Sequence, residues 1–293
     1  MDANTIWASG SKGTVLLSTD AGKTWSTRDV TGAEGLDFRS VFAFSVSKAY
    51  VLSSGDKEKS KLFRTDDGGQ HWTLLYTSTE GFLDGLKFWD AKHGIILGDP
   101  VGGSFVILTT ADGGQTWQRR TLPAAQPDEG AFAASNSSIA IHGKKEAWFG
   151  TSGARVFHTQ DGGATWTVAQ TPIRHDGKSV GIFSLFFNDA KHGISVGGDY
   201  TKAQEDAHNV ALTVDGGRTW TEPASRPHGY RSAVACVRQT CFATGPGGSD
   251  RSSDGGQTWT LLDQPGYHAL TVAGSGIYAS GSDGRLSALS GVK

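Results

Sequence analysis

Carboxylates are the first residues to weigh for chemistry, and this chain repeats one at a fixed address. Asp20, Asp67, Asp112, Asp161, Asp215 and Asp254 each stand third in an octet, the first copy of which is STDAGKTW at 18–25. The pattern is Ser or Thr, any residue, Asp, any residue, Gly, any residue, Thr, Trp, with His71 replacing the Thr in one copy. Paired carboxylates could serve as a general acid and base, but the octet accounts for them without catalysis. An Asp side chain accepts hydrogen bonds from backbone N–H groups one to three residues on and folds the chain back. The glycines Gly22, Gly69, Gly114, Gly163, Gly217 and Gly256 supply the positive φ such a turn needs. Thr and Trp then begin a strand, where branched and aromatic side chains pack well. The six aspartates are structural on this reading.

Other chemistries leave little trace. The stretch GPGGSD at 245–250 lacks the Lys and the following helix of a phosphate-binding loop. No serine nucleophile elbow is present. The nine histidines are scattered, and His93 and His192 fall at equivalent turns of two repeats, so no metal and no cofactor is expected. The net charge of −2 gives no reason to expect a nucleic-acid or anionic-membrane surface. No apolar run approaches the ~20 residues of a membrane span, and no charged-then-apolar leader opens the chain. Cys236 and Cys241 flank a four-residue turn in ACVRQTC. They are either a disulfide across paired strands or two small half-buried strand residues, and a disulfide would favour an extracytoplasmic compartment.

The elements that position these residues follow from the repeat. Trp25, Trp72, Trp117, Trp166, Trp220 and Trp259 are separated by 47, 45, 49, 54 and 39 residues, a period that belongs to propellers and solenoid arrays. Six indoles at such intervals imply equivalent seams between packed sheets. Before each octet, stretches such as LKFWDAKHGIILGDP (86–100) and FSLFFNDAKHGISVGGDY (183–200) read as a strand, a turn and a second strand. A third strand, the octet turn and a fourth strand follow, which makes one blade. The first unit (6–25) shows strands two to four, and the last (267–289) strands one to three. The expected fold is therefore all-β: one domain over 1–293, a seven-bladed β-propeller of four-stranded antiparallel blades with incomplete first and last repeats. The missing first strand of unit one is expected from upstream of this sequence.

The octets match the Asp-box, or BNR, motif of sialidase-like propellers. Together with DAKHGI, which occurs at 90–95 and again at 189–194, they resemble the photosystem II stability/assembly factor-like propellers. That resemblance covers essentially the whole chain and implies a seven-bladed scaffold that docks on a protein partner or assembly complex outside the cytoplasm. Carbohydrate is a further candidate ligand.

Propeller geometry then sorts the polar residues. Loops entering first strands and loops leaving second strands open on one face, whereas octet turns lie at the outer part of each blade. The shared face collects Asp37, Arg39, Asp84, Glu129, Asn136, Tyr230, Arg231 and His268 from the first set. From the second it collects Asp56, Asp99, Arg155, Asp199, Tyr200, Asp250 and Asp283, and TKAQEDAHNV at 201–210 lengthens one of these loops. The expected binding residues are Arg39 and Arg231 as bidentate anchors, Tyr200 and Tyr230 as contact area, and Asp99, Asp199 and Asp250. The sialidase resemblance implies an alternative, a glycoside hydrolase. Arg39, Arg155 and Arg231 would then grip a carboxylate, Tyr200 or Tyr230 with Glu129 would attack, and Asp99 would be the acid. That alternative requires the three arginines to converge in one pocket.

Overall fold

A computed structural model describes residues 4–262 and 264–289, and among them the only helical pieces are 3₁₀ turns at Lys57–Lys59 and Ser282–Gly284. Everything else regular is antiparallel strand, arranged in seven separate sheets in chain order. Blade 1 is Ile6–Ser9, Val15–Ser18 and Ser26–Thr27. Blade 2 is Phe38–Ala43, Ala49–Ser53, Lys61–Thr65 and Thr73–Thr77. Blade 3 is Leu83–Phe88, Gly94–Val101, Ser104–Thr110 and Gln118–Arg119. Blade 4 is Ile139–His142, Glu146–Gly150, Arg155–Thr159 and Thr167–Gln170. Blade 5 is Val180–Phe187, Gly193–Asp199 and Val210–Thr213. Blade 6 is Ala233–Val237, Thr240–Gly245, Gly248–Ser252 and Thr260–Leu262, and blade 7 is Ala269–Ala273, Gly276–Ser280 and Leu286–Leu289.

The expected partial blades at the two ends are present, and blade 5 departs from the four-strand expectation as well. Its fourth strand shrinks to one bridge between Leu212 and Thr221. Pro223 follows two residues later, and a proline offers no N–H to prolong a ladder.

The octet turn is built alike in five of its six copies. In the blade 4 copy, the Thr159 hydroxyl donates to Asp161 Oδ1 at 2.8 Å and accepts the Gly163 N–H at 3.0 Å. The carboxylate accepts the N–H and the hydroxyl of Thr165, four residues on, and in the blade 5 copy Asp215 also accepts the Arg218 N–H three residues on, within the expected range. The turn is therefore a loop around the carboxylate, closed by the Trp166 indole donating to the Gly163 carbonyl at 3.1 Å. These hydrogen bonds favour the charged form, and Asp20, Asp112, Asp161 and Asp215 are held at about 2. Where His71 replaces Thr, its ring approaches Asp67 instead, and the Trp72 indole turns to the Arg28 carbonyl of blade 1.

The indoles seal seams in a directional way. Trp72, Trp117, Trp166, Trp220 and Trp259 each join a hydrophobic cluster between their own blade and the preceding one. The seam between blades 6 and 7 uses Tyr267, Leu270 and Ile277 with Ala233 and Phe242. Six clusters thus fill six of the seven seams. Trp25 belongs by the same rule to the junction of blade 1 with blade 7, where it lines a cavity of about 600 Å³.

Trp220 is 7% exposed inside the blade 4–blade 5 cluster, so Trp220→Ala is expected to cost about 3–5 kcal/mol. Trp25→Ala, at the open seam, is expected to cost about 1–2 kcal/mol. Urea unfolding of the two variants beside wild type measures both; equal losses would contradict the difference between the seams.

Candidate functional site

The face that gathers first-strand entrances is covered at its centre by the connection from blade 3 to blade 4. Residues 120–138 leave the outer edge of blade 3 and reach the inner strand of blade 4 by way of the central channel. Phe132 stacks on Phe183 of blade 5, with ring centroids 3.7 Å apart. Ser135 donates to the Ser232 carbonyl at 2.9 Å, and the Ser137 and Ser184 hydroxyls are 2.7 Å apart. Asn136 takes a positive φ of 54°, and its side chain accepts the Leu86 N–H and donates to the Val41 carbonyl. One short segment therefore ties blades 2, 3, 5 and 6 across the axis.

The three arginines lie in separate blades, and each already has its own carboxylate. Arg155 pairs with Glu129, which also accepts the Thr151 hydroxyl. Burial pushes the Glu129 carboxyl up, but the bonds from Arg155, Thr151 and the Gln126 N–H outweigh it and hold it below the ordinary range. Arg231 is fully buried, donates to Asp250 Oδ2 at 2.7 Å, and spends its other donors on the Tyr230 and His228 carbonyls. Asp250 is fully buried too and receives His228 from its other side. Arg39 is exposed, pairs with Asp37 at 2.8 Å and lies over the Phe82 ring. It lines the 600 Å³ cavity, and neither Arg155 nor Arg231 does. The convergence that the hydrolase alternative requires is not formed by these side chains.

Burial also sorts the expected contact residues. Arg231, Asp250, Tyr230 and Asp199 are 0%, 0%, 4% and 5% exposed, so they support the face from inside. Sequence spacing carried no sign of the partners that hold them there. Tyr230 packs edge-on against Phe183, and burial pushes its hydroxyl pKa up. Burial raises Asp199, but bonds from Thr201 prevail and its pKa is lowered. Tyr200 keeps 52% exposure while its ring meets Phe183 edge-on. Arg39 and Tyr200 are thus the expected residues that present donors and area to solvent. Cys236 and Cys241 stand opposite each other in register and form a disulfide within the seam between blades 5 and 6.

Two groups that sequence reasoning passed over or undervalued stand out. Asp84 is 1% exposed, and neither carboxylate oxygen has a hydrogen-bond partner. Burial, with Asp99 adding to it, drives its pKa well above the ordinary value against the pull of Arg39. Asp99 is itself raised by burial even though it accepts the Ala131 N–H at 2.8 Å. Lys87, on the inner strand of blade 3, lines the same cavity as Arg39, and desolvation lowers its ammonium to about 8. Its one legible signal was a lone charge inside the apolar run LKFW at 86–89.

Sheet order, octets and seams together define an Asp-box β-propeller. The chain belongs to the family described as photosynthesis system II assembly factor YCF48, whose profile matches residues 65–216, more than half of its length. The BNR/Asp-box repeat profile matches residues 16–27. The chain is similar to photosystem II assembly lipoprotein Ycf48 of Synechococcus sp. (strain CC9902), 29% identical over 149 residues, which is 51% of this chain and 39% of that protein. It is also similar to a sialidase of Micromonospora viridifaciens, 25% identical over 306 residues, covering 89% of this chain and 43% of the relative. The chain spans less than half the length of either. A solved structure of YCF48 bound to D1 peptide superposes with a TM-score of 0.67 at 18% identity, over 97% of this chain and 89% of the other. At that identity the superposition speaks for the fold.

Two outcomes follow from the buried charges. Asp250→Ala strands the Arg231 guanidinium and is expected to cost about 3–5 kcal/mol, while Arg231→Leu/Asp250→Leu recovers most of it; chemical unfolding of both variants measures this. A buried carboxyl whose pKa is raised on folding weighs against the folded state as pH rises above its ordinary value of 3.8. Asp84→Asn is therefore expected to gain stability over wild type as pH rises from about 4 to about 8. A pH-independent difference in urea midpoint would show that Asp84 does not titrate this way.

Proposed function

We propose that this chain is a non-enzymatic binding or assembly scaffold that docks a protein partner through the loop-bearing face of the ring. Family membership supports the assembly role, and the solved structure of YCF48 bound to D1 peptide supports a protein segment as the ligand. The observation that carries the reading is the closed state of Arg155 and Arg231, each neutralised by a buried carboxylate. An Arg already held this way has no free fork for a substrate carboxylate. What the face does present is exposed Arg39 over Phe82, and Tyr200 on the aromatic run through Phe183 to Phe132. Cationic and aromatic groups on a rigid frame are favoured contact residues at protein interfaces. An extracytoplasmic site of action fits the disulfide and the lipoprotein relative.

Affinity capture from native extract, with wild type beside Arg39→Ala/Tyr200→Ala, tests the reading. The expected outcome is a protein identified by mass spectrometry and retained at least about tenfold more by wild type, the equivalent of ~1.4 kcal/mol. Turnover of a fluorogenic sialoside by wild type that is lost in Arg39→Ala would overturn it.

A further inference from the structure

Three first strands take up an extra residue at the same place, where the chain enters the blade from the loop-bearing face. The register slips between Phe38 and Ser40, between Leu83 and Gly85, and between Ile182 and Ser184. The residues left over are Arg39, Asp84 and Phe183, and a bulge of this kind re-aims the side chain it leaves unpaired. Phe183 packs on Phe132 and Tyr230. Arg39 and Asp84 are a cation and a carboxyl at equivalent positions of adjacent blades, yet they are not paired to each other.

The two entrances abut. The Ser40 hydroxyl donates to the Asp84 carbonyl at 3.5 Å, and the Ser54 hydroxyl donates to the Leu83 carbonyl at 2.6 Å. The Arg39 guanidinium lies over the Phe82 ring, two residues before Asp84. It donates through Nε to Asp37 at 2.8 Å, in a pair whose side chains are 44% and 38% exposed. Such a pair is held weakly, because water competes for both partners. The terminal nitrogens of Arg39 make no hydrogen bond among the described residues. Asp84 is the converse, buried and with neither carboxyl oxygen bonded.

The surroundings of Asp84 supply one cation to it. Blade 2 contributes Arg39 from its first strand and no charge from Ala49–Ser53. Blade 3 contributes Asp99 from its second strand, and exposed Asp56 acts on Asp99 in turn. The channel segment brings the uncharged Asn136 side chain, which accepts the Leu86 N–H, and Glu129, which is closed by Arg155. Lys87 lies three residues down the same strand, and His142 ends the neighbouring strand Ile139–His142. Burial first, then Asp99, favour the neutral Asp84 carboxyl, and Arg39 alone pulls the other way. While Asp84 is neutral, nothing draws Arg39 from Asp37. Once Asp84 ionises, a buried charge without a partner faces a guanidinium with free donors. A carboxylate left unpaired costs far more when buried than when exposed.

We propose that Asp37 and Asp84 are alternative partners of Arg39, and that ionisation of Asp84 draws the guanidinium off the exposed face into the entrance between blades 2 and 3. Arg39 is then offered for docking on the acid side of the Asp84 titration and withdrawn on the alkaline side. The switch deepens the scaffold reading, and its effect on docking rests on that reading.

Nuclear magnetic resonance of the full chain, from about pH 4 to about pH 8, follows both ends of the switch through the Asp84 carboxyl carbon and the Arg39 Nε. The two signals are expected to move with one midpoint. In Asp84→Asn the Arg39 signal should keep its acid position throughout. Asp37→Asn removes the competing partner at the surface and should lower the Asp84 midpoint by at least about 0.5 pH unit, by reciprocity of the two equilibria. Arg39→Met should raise that midpoint, and adding Asp37→Asn to Arg39→Met should leave it in place, as competition for one guanidinium requires. Capture from native extract should retain at least about tenfold more partner at about pH 5 than at about pH 8 with wild type, and equal amounts with Asp84→Asn. An Arg39 signal that stays still while Asp84 titrates, a midpoint that Asp37→Asn leaves unchanged, or equal retention of a partner by wild type at both pH values would each overturn the proposal. If the two signals move together but wild type captures no partner, the scaffold reading fails and the Arg39 exchange stands. If a partner is captured while the Arg39 signal stays still, the exchange fails and the scaffold reading stands.

Discussion

Every blade of this ring is a small antiparallel sheet with apolar side chains on both faces, and no such sheet is stable by itself in water. Stability comes from the seams, where each blade buries a face against the next. The indole at the end of the octet is brought to five of them. Its position depends on a carboxylate loop that fixes the chain just before the fourth strand. An exposed, charged turn thereby sets the location of a buried aromatic ring. The Asp charge is kept at the surface, where hydration costs nothing, while its hydrogen bonds do the positioning.

A ring of this kind is quasi-one-dimensional until it closes, since each blade touches only its neighbours. Two devices brace this frame. One is the segment 120–138, which runs through the channel and bonds to inner strands of blades that are not adjacent in sequence. The other is the buried Arg231–Asp250 pair, which locks the entrance of blade 6 to its own third strand. Buried ion pairs contribute little net stability but penalise any arrangement that separates them. Both devices sit on the same side of the ring and make that face rigid, which suits presentation of contact residues more than movement around a substrate.

The blades were legible in the sequence because their determinants are local. An octet of eight residues contains both the turn and the ring it positions, so Asp161 and Trp166 could be assigned from spacing. The partial ends were visible for the same reason. What stayed hidden depends on residues far apart in the chain. Nothing near Arg231 announces that Asp250 lies against it, and an Arg beside a Tyr at a loop reads as a surface anchor until the partner is seen. The path of 120–138 across the channel was equally hidden, because its contacts are Ser, Asn and Phe at separations of 47 residues and more. The isolation of Asp84 was hidden too, because it follows from how Asp99 and Arg39 are used by others.

The same distinction bears on where function can reside. Side chains that the fold employs to hold itself, such as Arg155 with Glu129, are unavailable for recognition however suggestive their types. Groups left with unsatisfied bonding are the ones that respond to a ligand. By that criterion the informative groups are the Asp84 carboxyl, whose oxygens have no hydrogen-bond partner, and the Lys87 ammonium, which has no ion pair among the described residues and borders the cavity at the blade 1–blade 7 seam.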